Sequence, residues 1–237
     1  MSDILCIDTG TDVCSVAIAR NGKLLALMES AGERDHARNV AVYADELMRG
    51  NDIEPKELSA VAVAKGPGSY TGLRIGVSFA KGLCYSLGIP LIAVDSLESL
   101  ARVVEEEHEA GLLSVRDWEN ALLCPMIDAR RMEVYAEVFD TGLNRLTEVT
   151  AEVVDGYSFE PFIKTGGEFV VFGDGAAKTI DVLPREGVHF LDIQSSARGL
   201  CRVAEEKLRV EETEDTAYFE PFYLKDFVVT TSKKKVF

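Results

Sequence analysis

Residues 4–29, ILCIDTGTDVCSVAIARNGKLLALME, decide the fold. ILCID (4–8) and VCSVAIA (13–19) are short apolar runs of the kind that form strands, and Asn21-Gly22 supplies the two left-handed positions of a tight hairpin into KLLALME (23–29). Three consecutive antiparallel strands follow. From Asp35, the apolar positions Ala37, Val40, Ala41, Ala44, Leu47 and Met48 recur at spacings of three and four. The segment 35–49 therefore reads as a helix with one buried stripe, Gly50 placed to end it, and Val42 and Tyr43 outside the stripe. AVAVAK (60–65) is a buried strand; a glycine turn, a helix over 71–87 and the strand PLIAV (90–94) come next. A third helix starts after Asp95, read as its cap with Glu98 three residues on. The order is βββαβαβα.

The second half repeats that order without repeating the sequence. LLCPMID (122–128), MEVYAEVF (132–139) and RLTEVTAEVV (145–154) read as strands, YSFEPFIK as a weak helix or turn, and FVVFG (169–173) as a strand. VHFLDI (188–193) reads as a short poor helix, and Leu200, Cys201, Ala204 and Leu208 mark a strong one. The charged stretch EEEHEAGLLSVRDWEN (105–120) separates the halves, which gives domains 1–104 and 105–237, with a flexible lysine-bearing tail at 230–237. Two tandem units of this order resemble the plan of the actin, heat-shock-protein and sugar-kinase class: an α/β protein of two ribonuclease H-like domains, the second reduced. Element order licenses the architecture and not the chemistry.

The chain has 237 residues, 47% of them hydrophobic, and a formal charge of −15. A broad face gripping nucleic acid needs clustered lysine and arginine, so any such role is expected to run through a partner. Cys6, Cys14, Cys84, Cys124 and Cys201 are scattered and never form C-x-x-C, so they read as reduced core residues. No basic leader and no apolar run near the length of a membrane span occurs, and the expectation is a soluble, cytoplasmic protein.

KGPGSYTGLRIG (65–76) raises the question of a phosphate site, because a helix start carries free N–H donors and the positive end of a dipole. Its spelling fits neither a Walker loop, since Leu73 and Arg74 follow Gly72, nor G-x-G-x-x-G. In the actin-like class, nucleotide lies between the halves against two hairpins and a glycine pair. Asp8, Thr9, Gly10 and Thr11 stand at the first hairpin, either as a remnant of that phosphate loop or as an ordinary turn. At the second hairpin Asp128 remains, but Arg130 replaces the glycine; FGDGAAKT places Asp174 between Gly173 and Gly175, and its charge opposes a nucleotide. These losses point to a shell without autonomous ATP hydrolysis.

His36, His108 and His189 are the only histidines, and Val40 occupies the position four after His36, so no paired metal ligands are signalled. His36 reads as a surface or interface residue. In the helix after the glycine turn, Gly72, Gly76 and Ala80 recur every four residues and line one face. That groove receives either the chain's own sheet or a partner's helix, and in the second case Val42 and Tyr43 extend the face.

The stretches ILCIDTGTDVCSVAIA, DHARNV, AVAVAKGPGSYTGLRIGVSFAKGL, IPLIAVDSLESLA, IDARRMEVY, FGDGA and EPFYLK resemble, in order, the bacterial TsaB (YeaZ) family over nearly the whole chain. The resemblance implies a non-catalytic subunit of the machinery that forms threonylcarbamoyladenosine in tRNA. It implies binding to the paralogue TsaD, which carries the metal and transfers the group, together with the ATPase TsaE. It further implies a homodimer when alone, tRNA contact only through the complex, no membrane and no required cofactor, with nucleotide at a shared interface left open. His36, Val40, Tyr43, Gly68, Tyr70, Gly72, Arg74, Gly76 and Ala80 are the interface residues expected on this basis. The rival expectations are a glycoprotease-like (peptidase M22 type) hydrolase, a weak ATPase using Asp8, Thr9 and Gly10, and, less favoured, an actin-like filament former.

Overall fold

The computed structural model describes residues 1–30, 35–165 and 167–225, so the tail expected at 230–237 lies outside the described residues. Strands β1 (Asp3–Asp8), β2 (Ser15–Arg20) and β3 (Lys23–Glu29) form the antiparallel half of a five-stranded sheet. Its parallel half is β4 (Ala60–Gly66) and β5 (Leu91–Asp95), in the order β3-β2-β1-β4-β5. Asn21 and Gly22 take φ of 52° and 76°, as the two-residue turn requires. The helices between and after these strands are α1 (His36–Gly50), α2 (Tyr70–Leu87) and α3 (Ser96–Glu109).

Strand alternation sends alternate β1 residues to opposite faces. Leu5 and Ile7 join Val16, Ile18, Val61 and Val63 beneath α1 and α2, where Val40, Ala44, Leu47, Val77 and Ala80 meet them. Ile4 and Cys6 point the other way, with Ala17, Ala62 and Ile92. All five cysteines are buried and free.

The second sheet holds β6 (Leu122–Asp128), β7 (Glu133–Ala136), β8 (Phe139–Asp140), β9 (Thr150–Val153), β10 (Phe169–Phe172) and β11 (Val188–Phe190), with the single-turn helix α4 (Glu160–Ile163) before β10. Its order is β11-β10-β6-β7-β9, and β8 pairs with β6. The reading of 188–193 as a helix is corrected: Val188–Phe190 is an edge strand parallel to β10, because a short apolar run carries no reliable period and the open β10 edge decides. The expected strand 132–139 divides at Glu137 and Val138, where Glu137 meets Arg145 and the Val138 N–H donates to Thr147 Oγ1 at 3.0 Å. Of 145–154, the four residues of β9 are strand.

Two helices exchange sheets. Leu97, Leu100, Ala101 and Val104 of α3 pack onto Leu123, Phe139, Val170 and Phe172 of the second sheet. The last helix, α5 (Leu200–Arg209), crosses back and covers the far face of the first sheet with Leu200, Cys201, Val203 and Ala204. A boundary near residue 104 therefore separates the sheets and not the cores. Asp95 makes no capping hydrogen bond to α3; its carboxylate faces Lys65 at 3.8 Å and Arg145 at 3.7 Å, while Glu98 pairs with Arg145 at 3.1 Å.

Candidate functional site

The first hairpin is built into the protein rather than opened to a ligand. Asp8 and Thr9 are 2% and 1% exposed, and Gly10 and Thr11 are also buried. The Gly10 N–H donates to Asp8 Oδ1 at 2.9 Å, Gly10 O accepts from the Ser69 N–H at 2.7 Å, and the Thr9 hydroxyl donates to Gly72 O at 2.7 Å. The glycine turn of 66–69 thus lies on the hairpin where a phosphate loop would be open, and Ser69 caps α2 by accepting the Gly72 N–H at 3.3 Å. Asp8, Thr9, Gly10 and Thr11, read as a vestigial phosphate hairpin, are engaged within the chain: Thr9 and Gly10 bond to residues at the start of α2, Asp8 to Gly10, and Thr11 accepts from the Val13 N–H and from His36.

The Asp174 charge acts on Asp8, and the charges of Asp128 and Asp12 act on Asp174. Burial, chiefly, pushes the Asp8 carboxyl up to about 6, with the Asp174 charge adding to it and the Gly10 N–H opposing. Asp174 is likewise pushed to about 6 by burial, against the Asp128 N–H that donates to its Oδ1 at 3.1 Å. Gly173 and Gly175 have a packing reason: a Cβ on them would stand 2.2 Å from Met126 O and 2.8 Å from the Ile127 carbonyl carbon. Arg130 holds the left-handed backbone of the glycine it replaces, at φ 69°, and its N–H donates to Asp128 Oδ1 at 2.7 Å. Lys178, which no local pattern announced, pairs with Asp128. Among the described residues, no group of three or more histidine, cysteine or acidic side chains is arranged to hold a metal ion.

The outer face of α1 and α2 is the other feature the residues predicted, and its membership changes. A Cβ on Gly72 would come 2.0 Å from Thr9 O, and one on Gly76 would come 2.3 Å from Thr9 Oγ1 and 3.5 Å from Ile7 Cγ2. Ala80 is fully buried in the first core. The small-residue stripe therefore receives the chain's own β1 and first hairpin, which corrects Gly72, Gly76 and Ala80 as partner contacts. His36 is buried as well; its Nε2 lies 2.8 Å from Thr11 O, and since a carbonyl only accepts, Nε2–H is the donor. Gly68 sits over Gly10, whose carbonyl oxygen would meet a Cβ at 2.5 Å, and Tyr43 rests partly on the core.

What α1 and α2 turn outward is a groove of about 530 Å³ lined by Ala37, Tyr70, Thr71, Arg74, Ile75, Ser78 and Phe79, with Val40 at its floor. Val42 of α1 is exposed and does not line this groove. The residues expected at an interface thus divide: Tyr70 and Arg74 reach the groove, Val40 underlies it, Tyr43 and Gly68 are half-buried, and His36, Gly72, Gly76 and Ala80 are buried in the chain. Ile75, Ser78 and Phe79 also line the groove, while the small-residue stripe of the same helix faces the chain's own hairpin.

A family model described as "TsaD: tRNA N6-adenosine threonylcarbamoyltransferase" matches residues 29–167. The tRNA threonylcarbamoyladenosine biosynthesis protein TsaB of Bacillus subtilis is 37% identical over 149 residues, 63% of this chain and 60% of that protein. TsaB of Escherichia coli is 27% identical over 231 residues, 95% of each chain. TsaB of Haemophilus influenzae is 33% identical over 132 residues, and the chain spans 60% of the Bacillus and 51% of the Haemophilus protein's own length. The solved structure of YeaZ from Pseudomonas aeruginosa superposes with a TM-score of 0.78 at 23% identity, covering 94% of this chain and all of that one, and shares its fold. By the family model, these relatives and the shared two-sheet fold, the chain belongs to the TsaB (YeaZ) family, paralogous to TsaD.

Proposed function

We propose that this chain is a non-catalytic scaffold subunit of the tRNA threonylcarbamoyladenosine machinery, where N6 of the adenosine next to the anticodon receives the threonylcarbamoyl group. It docks the TsaD paralogue through the outer face of α1 and α2, self-associates by the same face when alone, and works with the TsaE ATPase in the cytoplasm. tRNA is met through the complex. The groove between α1 and α2 carries this reading: it is the outward, largely apolar side of two adjacent helices whose inner sides already hold the core.

Two further observations support a non-catalytic role over an ATPase or a peptidase. The hairpin that cradles phosphate in actin-like proteins is buried under α2 here, and the position four after His36 is a core valine with no ligating atom. Among the described residues, no helix is long and apolar enough to cross a membrane.

Reconstitution tests the proposal. Purified TsaD and TsaE, supplied with ATP and an activated threonylcarbamoyl donor, are assayed for threonylcarbamoylation of tRNA with and without this chain, and with a Ser78→Trp variant that fills the groove. Modification should require the wild-type chain and fail with the variant. Full modification without the chain, or activity of the chain alone, overturns it.

A further inference from the structure

A segment from the far end of the chain completes the docking face. After α5, the Glu214 N–H donates to Leu91 O at 2.8 Å, and Lys81 Nζ donates to the carbonyls of Ala217 and Phe219 at 3.2 and 2.7 Å. The Phe222 N–H then donates to Lys65 O at 2.8 Å. These bonds strap residues 214–222 along the first half and deliver Tyr223 to the rim of the groove. Its ring centre lies 4.7 Å from that of Tyr70, and its hydroxyl oxygen is 3.2 Å from Arg74 Nε. The Arg74 guanidinium carbon in turn sits 4.5 Å from the Tyr70 ring centre.

This arrangement fixes one end of a guanidinium, with the Glu220 carboxylate of the strap acting on it from beyond ion-pair distance. Stacking on an aromatic face and donation through Nε hold the plane, so the terminal nitrogens keep the fork that matches a carboxylate. Arg74 is exposed and is the single charged side chain lining the groove; Glu220 acts on it electrostatically, and no carboxylate among the described residues lies within salt-bridge distance of it. The apolar neighbours Ile75 and Phe79 follow on the same helix.

Resting on the docking role proposed above, we infer that the strap is part of the docking face. Tyr223 is a positioning residue that aims Arg74 at an aspartate or glutamate set among apolar side chains on a helix of the TsaD paralogue. A positive point on a chain of net charge −15 selects a partner segment with the opposite sign, and a bidentate pair beside an apolar groove sets register as well as identity.

The test is a double-mutant cycle on the full chain, read as affinity for purified TsaD paralogue at low and high salt. Arg74→Ala should weaken binding about tenfold and flatten its salt dependence. Tyr223→Phe keeps the ring on Tyr70 and removes the hydroxyl, and it should weaken binding about threefold. The double variant should match Arg74→Ala alone, because the hydroxyl acts only through the guanidinium. Additive losses, or unchanged affinity in either single variant while Ser78→Trp abolishes binding, overturn the inference and leave the docking role standing. A Ser78→Trp variant that binds normally overturns the docking role itself. Loss of self-association with unchanged paralogue affinity in Arg74→Ala would show that the anchor serves a second copy of the chain, which also refutes the inference.

Discussion

Thr9 gives its hydroxyl to the carbonyl of Gly72 at 2.7 Å, while its own carbonyl oxygen lies 2.0 Å from the place a Cβ on Gly72 would take. One contact thus explains both residues. The helix backbone must come close enough to accept from Thr9, and only a residue without a side chain lets it. The same approach seats α2 directly on the first hairpin.

Gly72→Ala should therefore destabilise the fold. Alanine recovers about 1 kcal/mol of helix propensity, but overpacking against fixed backbone costs about 1–3 kcal/mol or more. At Gly76 the obstacle is Thr9 Oγ1, a side-chain atom, so Thr9→Ala should partly rescue Gly76→Ala and should not rescue Gly72→Ala. Thermal denaturation of the three single and two double variants checks this. A Gly76→Ala protein as stable as wild type, with weakened paralogue binding, would return the stripe to an interface.

Asp8 sets a pH dependence. Its carboxyl, raised from 3.8 to about 6 by burial, binds a proton more readily folded than unfolded. Its contribution to stability is whole below about pH 4, is lost as pH rises through 6, and stays lost above. Asp8→Asn keeps an acceptor for the Gly10 N–H and removes the buried charge, so it should be more stable than wild type near neutral pH by up to about 3 kcal/mol. The difference should vanish at about pH 4. Urea unfolding across that range measures it, and a variant less stable at neutral pH would refute the sign.

Leu200 of α5 is fully buried against the first sheet, among Ile4, Cys6, Ile92 and Val94. Leu200→Ala should cost about 2–5 kcal/mol, and hydrogen exchange should show the loss in β1, β4 and β5, although Leu200 follows the second sheet in sequence. A fragment ending before α5 leaves that face bare and should not fold. Native-like exchange protection in such a fragment would contradict the crossed packing.

The isolated chain should neither bind nor turn over ATP. The first hairpin is buried, its Gly10 N–H is already given to Asp8, and Asp174 adds a carboxylate beside the glycine pair. Calorimetric titration with magnesium-ATP should give no heat of binding at millimolar nucleotide. Micromolar affinity lost in Asp8→Ala would restore the phosphate-hairpin reading.

tRNA binding by the chain alone should be weak and should not carry the steep salt dependence of many phosphate contacts. Filter binding at low and high salt measures it. Tight binding that collapses as salt rises would place a nucleic-acid face on this chain rather than on its partner.

The sequence by itself determined the first sheet and its helices. Alternation in 4–8 and 13–19, the Asn21-Gly22 turn and the stripe of α1 are local signals, written within a few residues of where they act. It also showed that the second phosphate loop has an arginine where glycine is expected. Where local signal was thin it misled: 188–193 is too short to show a period, and a neighbouring strand edge decided its form. Asp95 and Glu98 spell a capping box, yet Arg145, distant in sequence, engages both carboxylates.

Only the tertiary structure decided what each buried face is buried against. The stripes of α3 and α5 specify an apolar side, and nothing in their period says that each covers the other half's sheet. The spacing of Gly72, Gly76 and Ala80 likewise specifies a close approach without naming the approaching backbone, which proved to be the chain's own hairpin at Thr9. Tyr223 meets Tyr70 and Arg74 across about 150 residues, and no local pattern encodes that contact. Periodicity records that a surface leaves water, because that depends on one helix or strand; the identity of its partner depends on where the whole chain returns.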